Sequence, residues 1–122
     1  MSMITEHLVF SSKYRGKVLV GEVGKRCEEV ISEICEEIEI EVIEIAVNVD
    51  HVHLFIQIPP KYSYSEIANK IKGKSSRILR REFPHLVKWC PRGLWAPSCY
   101  HGSVGYGPDA VKNYISSQRA RR

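Results

Sequence analysis

His51 and His53 stand one residue apart in the stretch DHVHLFIQI, residues 50–58, which otherwise reads as a buried strand. Alternate side chains of an extended chain leave the same face, so both imidazoles share a face with Phe55 and Gln57. Val52, Leu54, Ile56 and Ile58 then line the other face. Two histidines so spaced lie about 6–7 Å apart at Cα and can converge on one metal ion. The same pattern also suits a half-exposed pair that binds nothing. Near the other end of the chain, Tyr114 and Gln118 are four residues apart and share one face of a helix. A glutamine carbonyl can complete a site for a hard divalent ion, with a phenol one turn away beside it. Alternatively Tyr114 is a core aromatic and Gln118 a solvated end residue.

The surrounding elements must carry these groups. HLVFSSKY, from His7 to Tyr14, alternates as a first strand, and YRGK then turns. In residues 22–38, Val23, Cys27, Val30, Ile31, Ile34 and Ile38 recur at three- and four-residue steps, predicting an amphipathic helix with an acidic outer face. Residues 40–49 are rich in β-branched side chains, with Ile43, Ile45, Val47 and Val49 expected on one side. Asp50 lies near a tight reversal into the histidine strand, which Pro59-Pro60 ends. A second helix starts near Ser63, capped by Ser63 or Ser65, and its polar surface is basic: Lys70, Lys72, Lys74, Arg77, Arg80 and Arg81. Residues 93–105 suit a last strand interrupted near Pro97, and a short final helix begins at Pro108 or Asp109. The order β-α-β-β-α-β plus a helix predicts an α+β, ferredoxin-like (RRM-like) fold with a four-stranded antiparallel sheet. That fold hosts unrelated functions.

Bulk properties narrow the class. At 122 residues, 43% apolar and 26% charged, residues 1–122 read as one globular domain. No apolar run approaches the roughly 20 residues of a membrane helix, and no basic-then-apolar leader is visible, so a cytoplasmic location without a membrane partner is expected. The net charge of +4 hides an asymmetry: residues 1–60 carry 5 Lys/Arg against 11 Asp/Glu, and residues 61–122 carry 13 against 3. Such a split suggests a basic surface for a polyanion, although basic residues also simply solubilise. Cys27, Cys35, Cys90 and Cys99 lack C-x-x-C spacing, which weakens zinc and redox-motif readings. Cys27 and Cys35 read as small apolar packing residues.

Together, these residues resemble a known constellation. DHVHLFI is similar to the HUH motif, two histidines around a hydrophobic residue, and YISSQ resembles the tyrosine helix of single-tyrosine HUH transposases from small insertion sequences. The likeness extends through HLVFSSKYRGKVL, KIKGKSSRIL and LWAPSCYHGSVG in the family's order, with Val49 standing where relatives often have proline. REP-associated tyrosine transposases share these motifs. The resemblance implies that His51, His53 and Gln118 ligate a divalent metal and that Tyr114 is the nucleophile on a C-terminal catalytic helix. Mg²⁺ or Mn²⁺ suits such mixed ligation, while imidazoles alone would also accept zinc. The implied reaction is cleavage and rejoining of single-stranded DNA through a 5′-phosphotyrosine, with hairpin ends of a mobile element as substrate. A homodimer with composite sites is also implied, one subunit's tyrosine helix serving its partner's histidines. Gly102, Gly105 and Gly107 would then be either hinge or turn residues. Lys70, Lys72, Lys74 and Arg77 are the expected phosphate contacts; Trp89, Trp95 and Tyr100 either stack on bases or belong to the core. Three rivals remain: a non-catalytic single-stranded nucleic-acid binder of RRM-like fold, a related housekeeping or repeat-associated transposase that nicks DNA without moving its own element, which motifs do not separate from an insertion-sequence enzyme, and a metal-bound structural domain. The first would place aromatics rather than histidines on its central strands.

Overall fold

The computed structural model describes residues 3–105. The elements are β1 (Ile4–Ser11), α1 (Gly21–Glu37), β2 (Glu41–Val47), β3 (His51–Ile58), α2 (Tyr64–Glu82), the short α3 (His85–Trp89) and β4 (Tyr100–Gly105), with a single 3-10 turn at Lys13–Arg15. The strands lie in the order β2-β3-β1-β4 and every neighbouring pair is antiparallel. This is the ferredoxin-like arrangement expected from the sequence, and the order puts the histidine strand β3 in the sheet interior beside β1.

Periodicity explains which side is dry. Leu8 and Phe10 of β1, with Val52, Leu54 and Ile56 of β3, form one core with Val23, Val30, Ile31 and Ile34 of α1 and Ile67, Ile71 and Leu79 of α2. Both helices therefore cover a single face of the sheet. Cys27 and Cys35 pack in that core as expected, and burial pushes both thiols up to about 12. All four cysteines are free thiols. The helices are also tied at their surfaces: Arg26 of α1 donates to Glu82 of α2 at 2.8 Å and to Glu33 at 2.9 Å. Ser63 caps α2, its Oγ accepting the Glu66 N–H at 3.2 Å.

One strand expectation is corrected. In β2 the register shifts between Val42 and Glu44, so Val42, Ile45 and Val47 face the core while Ile43 is 41% exposed. A bulge residue inverts the alternation on its N-terminal side, which a period of two cannot register. Val49 likewise is exposed. The last strand is interrupted near Pro97 as expected: Trp95 forms an antiparallel bridge with Ser12, and β4 proper begins at Tyr100. Before it, the chain only touches the β1 end, through Lys13 N–H to Leu94 O at 2.8 Å and Ala96 N–H to Ser11 O at 2.8 Å. Gly102 and Gly105 lie within β4, opposite His7 and Thr5, and are not turn residues; Gly107 lies outside the described residues.

Candidate active site

The face of the sheet turned away from the helices carries the polar groups. Antiparallel partners share a face, and the β1–β3 register matches Ser11 with His51, Val9 with His53, His7 with Phe55 and Thr5 with Gln57. On the other side of β1, Val9 and His7 meet Tyr100 and Gly102 of β4. The two histidines expected to act together do so: their rings are edge to face with centres 4.9 Å apart.

Each histidine is held through its Nδ1. His51 Nδ1 lies 2.7 Å from Asp50 Oδ1, and Arg15 Nε donates to Asp50 Oδ2 at 3.1 Å. The hydrogen bonds from His51 and Arg15 hold the Asp50 carboxyl below its ordinary range, so it is an anion at neutral pH. An anion accepts, and His51 therefore donates Nδ1–H and keeps Nε2 as a lone-pair donor. His53 Nδ1 lies 3.0 Å from His7 Nε2. His7 is 6% exposed, stacked flat on Phe55 with ring centres 4.3 Å apart. Desolvation, with the nearby His53, lowers the His7 pKa to about 4, and burial followed by His51 lowers that of His53. His7 and His53 are thus set against positive charge.

This donor chemistry fits a divalent metal. With both Nδ1 atoms facing protein partners, the Nε2 atoms of His51 and His53 are the ones that would hold an ion, and metal–nitrogen bonds of about 2 Å suit rings this close. Among the described residues no cluster of three His, Cys, Asp or Glu side chains could hold an ion, so the pair supplies two donors. The expected third ligand Gln118 and nucleophile Tyr114 lie outside the described residues.

The remaining expected site residues divide. Lys70 and Arg77 are exposed on α2, in the layer across the sheet from the histidines. Lys74 pairs with Glu37 of α1 at 2.9 Å. Lys72 is engaged within the fold: its ammonium donates to the carbonyls of Ala96, Pro97 and Ser98 at 2.7, 3.3 and 3.2 Å, pinning the approach to β4. Trp95 belongs to the core, donating Nε1–H to Ser75 Oγ at 2.9 Å and meeting Phe10 edge-on. Trp89 packs so closely on Gly16 that a Cβ there would lie 2.5 Å from its ring, while Tyr100 is exposed. His101 points to the helix side and stacks on Tyr64 at 3.4 Å.

Two features escaped the sequence reading. One is His7, whose distance from His53 in sequence hides a contact across the β1–β3 ladder. The other is the attachment of the 12–16 turn to Asp50. Ser12 N–H donates to Asp50 O at 3.0 Å, Ser12 Oγ donates to Gly16 O at 2.6 Å, and Tyr14 and Arg15 both adopt positive φ, of 57° and 55°. Such backbone is costly away from glycine and persists only when its surroundings over-determine it. Here it leaves Tyr14 78% exposed, next in sequence to Arg15, which pairs with Asp50.

The family model described as "Transposase IS200 like" matches residues 1–118. The chain belongs to the IS200-like transposase family. It is 33% identical over 113 residues to the transposase for insertion sequence element IS200 of Salmonella typhimurium, covering 92% of this chain and 74% of that one. A crystal structure from Deinococcus radiodurans, assigned as a transposase, superimposes with a TM-score of 0.79 at 27% identity, covering 97% of this chain and 92% of that one. The structure of a REP-associated tyrosine transposase bound to a REP hairpin superimposes with a TM-score of 0.64 at 14% identity, covering 96% and 63%, and shows the common fold. Membership in an IS200-like family makes DNA transposition the activity of this chain. Among the described residues no helix is long and apolar enough to cross a membrane.

Proposed function

We propose that this transposase cleaves and rejoins single-stranded DNA through a covalent 5′-phosphotyrosine on Tyr114. The observation that carries the reading is the convergence of the His51 and His53 rings on one face, with His51 Nδ1 on the Asp50 carboxylate and His53 Nδ1 beside His7, an arrangement that leaves the Nε2 edges as the ones that would meet a ligand. His51 and His53, with Gln118, would hold Mg²⁺ or Mn²⁺. When bound, the ion supplies Lewis-acid polarisation of the phosphate and stabilises charge on the departing oxygen.

The protein's own groups do the rest. Tyr114 Oη attacks phosphorus in line, the P–O3′ bond breaks, and the phenolic proton is finally balanced by the proton on the released 3′-hydroxyl. Because a phosphodiester is exchanged for a phosphotyrosyl ester, a second 3′-hydroxyl reverses the step and joins new ends without ATP. The Asp50 anion holds the His51 ring, and Arg15 holds Asp50.

The 13–17 turn, tied to Asp50 through Arg15, carries Lys13, Tyr14 and Lys17, which would meet the strand on its way to the histidines, the lysines on phosphates and the exposed Tyr14 on an unpaired base. Exposed Lys70 and Arg77 would hold a more distant duplex part of a hairpin end. The neighbour is bound to a REP hairpin, and this protein would likewise take hairpins, here the folded ends of a mobile element. It would do so as a homodimer whose subunits exchange tyrosine helices, β4 being an edge of the sheet. A non-catalytic RRM-like binder is disfavoured, because Phe55 is buried beneath His7 and offers no open stacking face.

The test is incubation with single-stranded hairpin-end DNA and Mg²⁺ or Mn²⁺, followed by a denaturing gel. The wild type gives a covalent protein–DNA species that Tyr114→Phe abolishes while still binding DNA. Adduct formation by Tyr114→Phe would overturn the assignment of the nucleophile. Recovery of adduct on mixing Tyr114→Phe with His51→Ala subunits reports shared sites, and persistent inactivity reports sites built within one chain.

A further inference from the structure

His7 is a third imidazole on the active face, and neither the family resemblance nor the metal-ligand set gives it a task. Across the ladder it faces Phe55 and reaches diagonally to His53, a separation that cross-strand neighbours on one face can bridge. Its ring is fixed twice, stacked on Phe55 with centres 4.3 Å apart and 2° between planes, and set edge to edge and nearly coplanar with His53, with centres 5.2 Å apart and 16° between planes. The 3.0 Å separation between His7 Nε2 and His53 Nδ1 holds one proton between two nitrogens. That proton has two possible owners. If His7 carries it, His53 has its proton on Nε2 and cannot ligate through that atom. If His53 carries it, Nε2 is left with its lone pair, as Asp50 already arranges for His51.

Resting on the reading of His51 and His53 as metal ligands, we infer that His7 is a positioning residue that accepts the Nδ1–H of His53 and thereby fixes His53 in its ligating tautomer. The two ligands then reach the same protonation state by different means. His51 has a carboxylate acceptor at the exposed end of the strand. His53 has a neutral imidazole acceptor in the buried middle of the sheet, where a second carboxylate would carry a heavy desolvation cost. Orienting partners of ligating histidines are worth roughly 10–100-fold in metal affinity.

Two variants separate this from a packing role. His7→Phe keeps a flat ring against Phe55 and removes the acceptor, whereas His7→Gln returns a carbonyl oxygen in its place. Long-range ¹H–¹⁵N spectra of the metal-free proteins read the His53 tautomer, Mn²⁺ titration reads affinity, and thermal melting reports folding. The wild type and His7→Gln are expected to hold His53 as Nδ1–H, with Mn²⁺ affinities within about threefold of each other. His7→Phe shifts His53 toward Nε2–H and binds Mn²⁺ about 10–100-fold more weakly while still folded. An Nε2–H tautomer of His53 in the wild type overturns the inference, as does an unchanged tautomer in folded His7→Phe. The wild-type spectrum alone decides if His7→Phe does not fold. A wild type that binds no Mn²⁺ but loses the Nδ1–H tautomer on His7→Phe would sink the metal reading and leave this inference standing.

Discussion

The two faces of β3 are built from adjacent residues and serve opposite ends. Val52, Leu54 and Ile56 are fully buried against both helices and contribute through area removed from water. His51 and His53, interleaved with them, are only partly buried and are held by single directed hydrogen bonds. The apolar face tolerates rearrangement at a cost in stability, whereas the histidine face depends on individual ring nitrogens. A strand can thus carry the fold on one side and chemistry on the other because its side chains alternate.

Substitutions at neighbouring positions test that division most strongly. His53→Ala is expected to cut covalent adduct formation by about 10³-fold or more while leaving the melting temperature within a few degrees. Leu54→Ala, one residue on, should cost about 2–5 kcal/mol in a denaturant melt yet leave adduct yield per folded molecule near wild type. Equal losses of stability from both, or loss of adduct by folded Leu54→Ala, would break the comparison.

A smaller effect separates the two layers in DNA binding. Neutralising Lys13 and Lys17 together should flatten the log–log salt dependence of single-strand binding by about 0.7 for each phosphate contact removed. Lys70 and Arg77, across the sheet, should leave single-strand binding unchanged and affect only hairpin substrates. A single-strand defect from Lys70→Gln instead would place the strand path over the helices.

The smallest effect belongs to the surface of the helical layer. Hydrogen bonds from Arg26 hold the Glu82 carboxyl below its ordinary value of 4.5. A depressed carboxyl contributes stability above its unfolded pKa and loses it as pH falls through the lower folded value. Wild type should therefore lose slightly more stability than Glu82→Gln below pH 4.5, with the difference shrinking in high salt; a widening difference in salt would contradict it.

Much of this was legible in the chain. Element order, the α1 stripe, the Ser63 cap and the shared face of His51 and His53 follow from periods of 3.6 and 2 and from local capping chemistry. The exceptions have physical causes. One inserted residue at Ile43 inverted the phase of β2. Lys72 looks like any exposed cation until three carbonyls some 25 residues away close on its ammonium. The 12–16 turn was recognised as a turn, but its attachment to Asp50 was not.

By itself, then, the sequence determined the pair of histidines, the strand that presents them and the family they belong to, because these are matters of local spacing. Only the tertiary structure decided which nitrogen each ring has left to offer. Asp50 with Arg15 makes that choice for His51, and His7, brought beside His53 by the β1–β3 register, makes it for His53. A tautomer is set by what lies across a hydrogen bond, and the partner of His53 comes from another strand.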